Sequence, residues 1–339
     1  MEDIILSIDG LKTYFFTEAG VVKAVDGITF NLKRGESLGL VGESGSGKTM
    51  TALSILRIVP KPGKTVDGKI IYNGTNLLEK TDQEMLKIRG REIAIIFQDP
   101  SASLNPVYTI ETQLRDVLVA HEKLTKKEAA EKIIKLLELV GLPEAEIRMR
   151  EYPHQFSGGM KQRVAIARAL ACEPKLLFAD EPTTNLDVTI QAQMLELLNE
   201  LKKKLGTSLV MITHDMGIIA KLTTRVVVLY AGRVCEIAKT DVLFERPRHP
   251  YTEALLAAVP RLDMKKTLQV IPGNIPNLIE PPSGCRFHPR CKYATKECEE
   301  EIPILEEIEP EHFVACHHWR DITLKGEKEY LGSSGSHPS

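Results

Sequence analysis

The run Gly42-Glu43-Ser44-Gly45-Ser46-Gly47-Lys48-Thr49 carries the most specific chemistry in the chain. Its G-x-x-x-x-G-K-[ST] spacing suits phosphate. The glycines let the backbone curl so that its N–H groups converge on the oxygens. Lys48 then reaches the β- and γ-phosphates, and the Thr49 hydroxyl ligates Mg²⁺. A second constellation is Asp180-Glu181, which closes the apolar run 175–179. Carboxylates at the carboxyl end of a buried strand stand where α/β sheets bind ligands. Asp180 fits a ligand to a Mg²⁺-bound water, and Glu181 fits a group that polarises an attacking water. His214 follows another apolar run, 209–213, and is a candidate phosphate contact. Ser157-Gly158-Gly159 opens a helical stretch rich in Ala and Arg. It reads either as a second anion site of exposed N–H groups or as a plain helix cap.

Four of the six cysteines, Cys285, Cys291, Cys298 and Cys316, cluster in a proline-rich segment at the spacing C-x₅-C-x₆-C-x₁₇-C. Four thiolates suit tetrahedral zinc or an iron–sulfur cluster. These intervals are longer than the usual zinc pairs, so the spacing does not choose between the two. Cys172 and Cys235 sit in or beside apolar runs and read as core residues.

The elements that must position these groups follow from periodicity. Residues 4–8, 25–32, 36–41, 68–74, 93–97, 175–179, 209–213 and 226–230 are strand-like, and 49–58 is a helix leading out of the phosphate loop. The stretch 110–140 reads helical, with Ile133, Ile134, Leu136, Leu137 and Val140 on one apolar face and Gly141 as its stop. Tyr14-Phe15-Phe16 cannot all face one core, because strand neighbours point to opposite sides; one ring is free to stack on a base.

With 339 residues the chain is long enough for about two domains. Its 44 basic and 46 acidic residues are intermixed, which excludes the strong basic excess of an electrostatic nucleic-acid binder. The N-terminal run Met1-Glu2-Asp3-Ile4-Ile5 lacks the pattern of a signal peptide, and no apolar run approaches the ~18–20 residues of a membrane span. A cytosolic protein with reduced or metal-bound cysteines is the expectation.

The order of motifs resembles the ATP-binding subunit of ABC transporters over residues 1–245: phosphate loop, Gln98 after a strand, Ser-Gly-Gly helix, Asp-Glu strand end, then His214. The resemblance implies an α/β P-loop ATPase core with an antiparallel β subdomain and a helical insert at about 100–165. Residues 246–325 would form a loop-rich C-terminal accessory region bearing the four cysteines, and 326–339 a flexible tail. It makes Gly42 to Thr49, with Met50, the nucleotide-contacting loop. Gln98 becomes a link between γ-phosphate and Mg²⁺, Ser157 and Gly159 the cover over a partner subunit's nucleotide, and residues 185–187 the loop after the acidic pair. Phe15 takes the adenine-stacking position, with Tyr14 as second choice. The signature departs from the general pattern at Phe156 and Met160, and the loop after the acidic pair at Asn185; the serine and glycines that meet phosphate are kept.

The run 97–106 and Arg248-His249-Pro250-Tyr251-Thr252 resemble more narrowly the dipeptide/oligopeptide importer branch, D-type subunit. That branch implies a [4Fe–4S] cluster on the four clustered cysteines. It also implies a second ATPase subunit (a paralogue or a second copy), two transmembrane permease subunits and an extracellular binding protein as partners. The expected location is the inner face of the cell membrane. A ribosome- or DNA-directed ABC ATPase is the rival reading, but such proteins tend to carry two nucleotide domains or a long coiled-coil insert, which this chain lacks.

Overall fold

The computed structural model describes residues 3–184, 186–259 and 271–326. Two features of the sequence, Asn185 and nearly all of the 326–339 tail, therefore lie outside the described residues. The described chain divides into two units, one built from 3–32, 37–78 and 212 onward, the other from 33–36 and 79–211.

In the first unit, a four-stranded sheet has the order Gly20–Lys33, Ile4–Thr17, Gly63–Tyr72, Thr75–Asn76. Ile4–Thr17 and Gly63–Tyr72 pair antiparallel, Leu6 opposite Tyr72 and Phe15 opposite Gly63. Ile5, Leu6, Ile8 and Leu11 are buried, with the strand neighbours Ile5 and Leu6 on opposite faces. The unit's second set of strands runs in the order Glu306–Glu309, His312–Val314, Arg233–Lys239, Arg225–Tyr230, Ser37–Val41. Ser37–Val41 and Arg225–Tyr230 pair parallel, from Leu38 opposite Arg225 to Val41 opposite Val228, and every residue of both is buried. Their near-continuous apolar sequence is what a strand covered on both faces requires.

The C-terminal region is more ordered than its loop-like composition suggests. It contributes the hairpin Glu306–Glu309/His312–Val314, whose inner strand pairs with Arg233–Lys239 through Glu236–Val314 and Ile237–Phe313. The inner strand spans three residues, too few to show a period of two in the sequence.

In the second unit, Leu176–Asp180 lies between Ser208–Thr213 and Ile93–Ile96, parallel to the latter. The expected helix over 110–140 is two helices, Ile110–His121 and Lys126–Leu139. The break is chemical: Thr125 accepts the Glu128 N–H while the Glu128 carboxylate accepts the Thr125 N–H, a reciprocal cap that starts a new helix. Ile133, Leu136, Leu137 and Val140 are buried as the apolar face requires. Among the described residues no helix is long and apolar enough to cross a membrane.

Candidate functional site

The phosphate loop leaves the buried strand Ser37–Val41 and enters the helix Lys48–Ile55. Two glycines are obligatory. A Cβ on Gly42, at φ +151°, would lie 2.1 Å from the Leu229 carbonyl oxygen, and one on Gly47, at φ +101°, 2.5 Å from the Ala24 carbonyl oxygen. No side chain fits either place, so the loop is drawn tight against the backbone beside it. Lys48 is buried, its Nζ donating to the carbonyls of Gly42 at 2.7 Å and Glu43 at 2.9 Å, with Ser46 Oγ at 3.5 Å. The ammonium is thereby held inside the curl, while Ser44 and Gly45 at the tip face solvent and Thr49 and Met50 are half-buried in the first helical turn. No side chain caps this helix, so its first N–H groups and the positive end of its dipole serve the loop.

The aromatic candidates separate. Tyr14 donates its hydroxyl to Asp26 Oδ1 at 2.5 Å. Burial and this hydrogen bond push the phenol up to about 12. Phe15 has no such tie; its ring lies against Gly63, where an added Cβ would come within 2.8 Å of Cε1. His214 is exposed beyond Ser208–Thr213, and Asp215 caps the next helix by accepting the Gly217 and Ile218 N–H groups.

The second unit gathers the acidic candidates with Gln98. Asp180, the last residue of its strand, is buried. Glu181 follows in the left-handed region, at φ +44°, which a residue with a side chain adopts at a cost. Its Oε2 accepts from Gln98 Nε2 at 3.0 Å and from Thr184 Oγ1 at 3.0 Å. Gln98 and Glu181 are thus brought together from the ends of the paired strands Ile93–Ile96 and Leu176–Asp180. Thr184 was not singled out by its sequence position; its place three residues after Glu181, in a turn, is the signal that could have found it. Ser157 caps the helix Gly158–Leu170 by accepting the Met160 N–H at 3.3 Å. Ser157 and Gly158 are exposed, Gly159 is half-buried, and Phe156 is buried, which explains an apolar residue before the serine.

The four clustered cysteines line one small pocket, together with His288, His317 and Phe287. Burial pushes the Cys285 thiol up to about 11 and the Cys316 thiol up to about 12. Among the described residues no group of three or more His, Cys, Asp and Glu side chains is gathered closely enough to hold a metal ion as it stands. Cys235 is buried in Arg233–Lys239, near Cys285 and Cys316. Two further residues escaped the sequence reading: the Tyr251 hydroxyl accepts the Glu43 N–H at 2.8 Å, and Arg290 forks onto the Glu43 carboxylate.

Comparison with known proteins gives two family matches. A model described as ABC transporter matches residues 25–184, and one described as oligopeptide/dipeptide transporter, C-terminal region, matches residues 235–298. The chain is 50% identical to a probable peptide ABC transporter ATP-binding protein of Sinorhizobium fredii, over 94% of this chain and 95% of the relative. It is 47% identical to the oligopeptide transport ATP-binding protein OppD of Escherichia coli, over 93% of each. With the dipeptide transport ATP-binding protein DppD of Bacillus subtilis it shares 46%, over 92% of this chain and 94% of the relative. Among solved structures it is similar to a dimeric post-hydrolysis state of an ATP-binding cassette bound to ADP and Pi. That match has a TM-score of 0.63 and 27% identity, covering 69% of this chain and 98% of the cassette.

Proposed function

The chain belongs to the oligopeptide/dipeptide family of ABC transporter ATP-binding subunits, and from that premise we propose how its residues divide the work. The protein binds ATP and hydrolyses it to ADP and phosphate, energising the import of peptides through partner permeases fed by a substrate-binding protein. It is a peripheral subunit of that membrane importer. Residues 1–245 form the nucleotide-binding domain and 246–325 its accessory region.

One observation carries the assignment of the site: Lys48 is buried inside a curl of backbone whose glycines admit no side chain. That is a binding site for phosphate oxygens made before the nucleotide arrives. Lys48 and the N–H groups of residues 42–50 bind the β- and γ-phosphates, and Phe15 stacks on the adenine. Thr49, Gln98 and Asp180 would hold Mg²⁺ directly or through water, and the ion would neutralise charge on the transferring phosphate. Glu181 orients the attacking water. Its strained backbone and its bonds from Gln98 and Thr184 fix the carboxylate, and Gln98 links its state to the helical segment 100–165. His214 stabilises charge on the phosphate as it transfers. Ser157 and Gly159, at an exposed helix start, cover the nucleotide of the second ATPase subunit.

A [4Fe–4S] cluster on Cys285, Cys291, Cys298 and Cys316 belongs to the same reading. It is supported by the convergence of all four thiols on one pocket, where burial makes thiolates costly without a cationic centre among them. The cluster's role is structural, since ATP hydrolysis involves no electron transfer.

Two variants test the division of labour. Lys48→Ala loses ATP binding, while Glu181→Gln keeps binding and loses hydrolysis by orders of magnitude, because shape survives and the carboxylate does not. Turnover by Glu181→Gln within about threefold of wild type, ~0.7 kcal/mol of barrier, would remove Glu181 from the mechanism.

A further inference from the structure

Arg290, the residue before Cys291, leaves the cysteine segment to reach the second residue of the phosphate loop. Its Nη1 lies 2.6 Å from Glu43 Oε2 and its Nη2 3.1 Å from Glu43 Oε1, a two-pronged pairing across 247 residues of sequence. The fork is itself fixed: Nε donates to the Pro272 carbonyl at 2.7 Å, and Nη1 to the Tyr230 hydroxyl at 3.2 Å. The Arg290 side chain is 4% exposed and the Glu43 side chain 25%. This is therefore not a solvent-screened surface pair of negligible worth. Burial works against the guanidinium's charge, yet the bonds to Glu43 and Tyr230 hold it above its usual range.

Glu43 is the point where these forces meet. Its N–H donates to Tyr251, and its carbonyl accepts from Lys48 Nζ at 2.9 Å and from the Ser46 N–H at 3.1 Å. Whatever fixes Glu43 therefore fixes the ammonium that meets the phosphates. The cysteine segment holds the loop by other means as well. Phe287 packs edge-on against Tyr230 and tilted against Tyr251, with centroids 5.1 and 5.2 Å apart. Arg286 donates to the Ala231 carbonyl and to Asp26, and the next residue, Gly232, donates its N–H to the Ser46 carbonyl at 3.0 Å. Residues 286–290, flanked by Cys285 and Cys291, thus reach the loop through both Glu43 and Ser46.

We propose that Arg290 is a positioning residue for ATP: through Glu43 it holds the phosphate loop ready for phosphate, so that the folded cysteine segment sets the affinity for nucleotide. The proposal rests on the reading of Gly42–Thr49 as the ATP loop. Its physics is preorganisation, in which a loop ordered beforehand loses less freedom on binding. Linkage makes the effect reciprocal: if the segment tightens ATP binding, ATP must stabilise the segment by the same factor.

The experiment uses the purified full-length chain and measures ATP affinity, steady-state hydrolysis and hydrogen exchange of residues 285–291. Arg290→Ala is expected to weaken ATP binding about tenfold and leave kcat within about twofold, the pattern of a lost binding contribution. Glu43→Gln is expected to do the same, and the double variant to be no worse than either single, because both break one interaction. Arg290→Lys keeps the charge but not the fork and falls between; it carries the test should Arg290→Ala not fold. ATP should slow exchange at 285–291 in the wild type and not in Arg290→Ala. Unchanged affinity in a folded Arg290→Ala protein, additive losses in the double variant, or exchange that ignores ATP overturns the proposal. Lys48→Ala separates the two levels: if it binds ATP like the wild type, the reading of the loop fails; if it loses ATP while the Arg290 variants do not, only the role of Arg290 fails.

Discussion

The phosphate loop and the cysteine pocket, both in the first unit, are built on opposite plans. The loop binds with backbone: residues 42–49 are contiguous, two of its glycines exclude any Cβ, and the side chain of Ser44 at its tip faces solvent. The pocket is made of side chains: its four thiols come from a turn region, a short helix and the end of a hairpin, spread from residue 285 to 316. A contiguous backbone site is specified wherever its glycine pattern occurs. A dispersed side-chain site exists only once the fold has delivered it. The two should therefore fail in different ways when altered.

The largest expected effect is at Gly42. Gly42→Ala places a methyl 2.1 Å from a carbonyl oxygen in the buried strand Arg225–Tyr230, which cannot yield. We expect it to cost on the order of 3 kcal/mol or more in stability, with ATP binding lost. Ser44→Ala, at the same loop's exposed tip, keeps the backbone N–H groups and should leave stability unchanged, with at most a minor loss of ATP affinity. Denaturant midpoints and ATP titrations of the pair check this, and equal behaviour of the two variants would break the comparison.

The pocket answers to side-chain chemistry alone. Cys298→Ala changes little volume at a buried position, yet removes one of the four ligands proposed for the cluster. Anaerobically purified wild type is expected to be brown with about four irons per chain, and Cys298→Ala nearly colourless. By the linkage argued above its ATP affinity should fall while kcat is kept. One zinc per chain in place of iron would keep the ligands and replace the cluster; a metal-free folded wild type would remove both.

The contrast also explains how much was legible in the sequence. Loop, acidic pair and buried strands could be read because each is local: a spacing, a strand end, a run of apolar residues. The contacts Gln98–Glu181, Glu43–Tyr251 and Glu43–Arg290 join residues 83, 208 and 247 positions apart, and nothing local marks them. The short hairpin strand His312–Val314 lay below the length at which alternation shows. The break before Lys126–Leu139 is different, since Thr125 and Glu128 are a local capping pair that the helical reading of 110–140 did not use.

Phe15 sharpens the comparison, because there a side chain is proposed to serve the nucleotide. Stacking gives affinity without choosing the base, as every purine presents a π-face. Phe15→Ala should raise the KM for ATP and GTP alike, by roughly tenfold for a stacking contribution of ~1–3 kcal/mol, with a smaller change in kcat. An unchanged KM would withdraw the role from Phe15. Tyr14 would be a poor heir while its hydroxyl is held by Asp26.

An effect on stability rather than on nucleotide binding is expected at Asp26, where the two plans meet. Its carboxylate is 8% exposed and accepts from Tyr14, from Arg233 at 3.0 Å and from Arg286 of the cysteine segment. Burial would raise its pKa, but the hydrogen bonds from Tyr14 and Arg233 and the charge of Arg286 prevail, and the value lies below the ordinary 3.8. A carboxyl depressed on folding adds stability that is fully present above its unfolded pKa and is lost as pH falls through the folded one. At neutral pH, then, Asp26→Asn should lower stability by about 1–3 kcal/mol, leaving the buried Arg286 and the half-buried Arg233 without their shared carboxylate. The difference between wild type and variant should narrow below pH 3.8, where the wild-type carboxyl also begins to lose its charge. Denaturant unfolding at neutral and acid pH measures this. A gap that stays constant down to acid pH would mean the carboxylate charge contributes nothing, and that shape alone joins the cysteine segment to the strand before the phosphate loop.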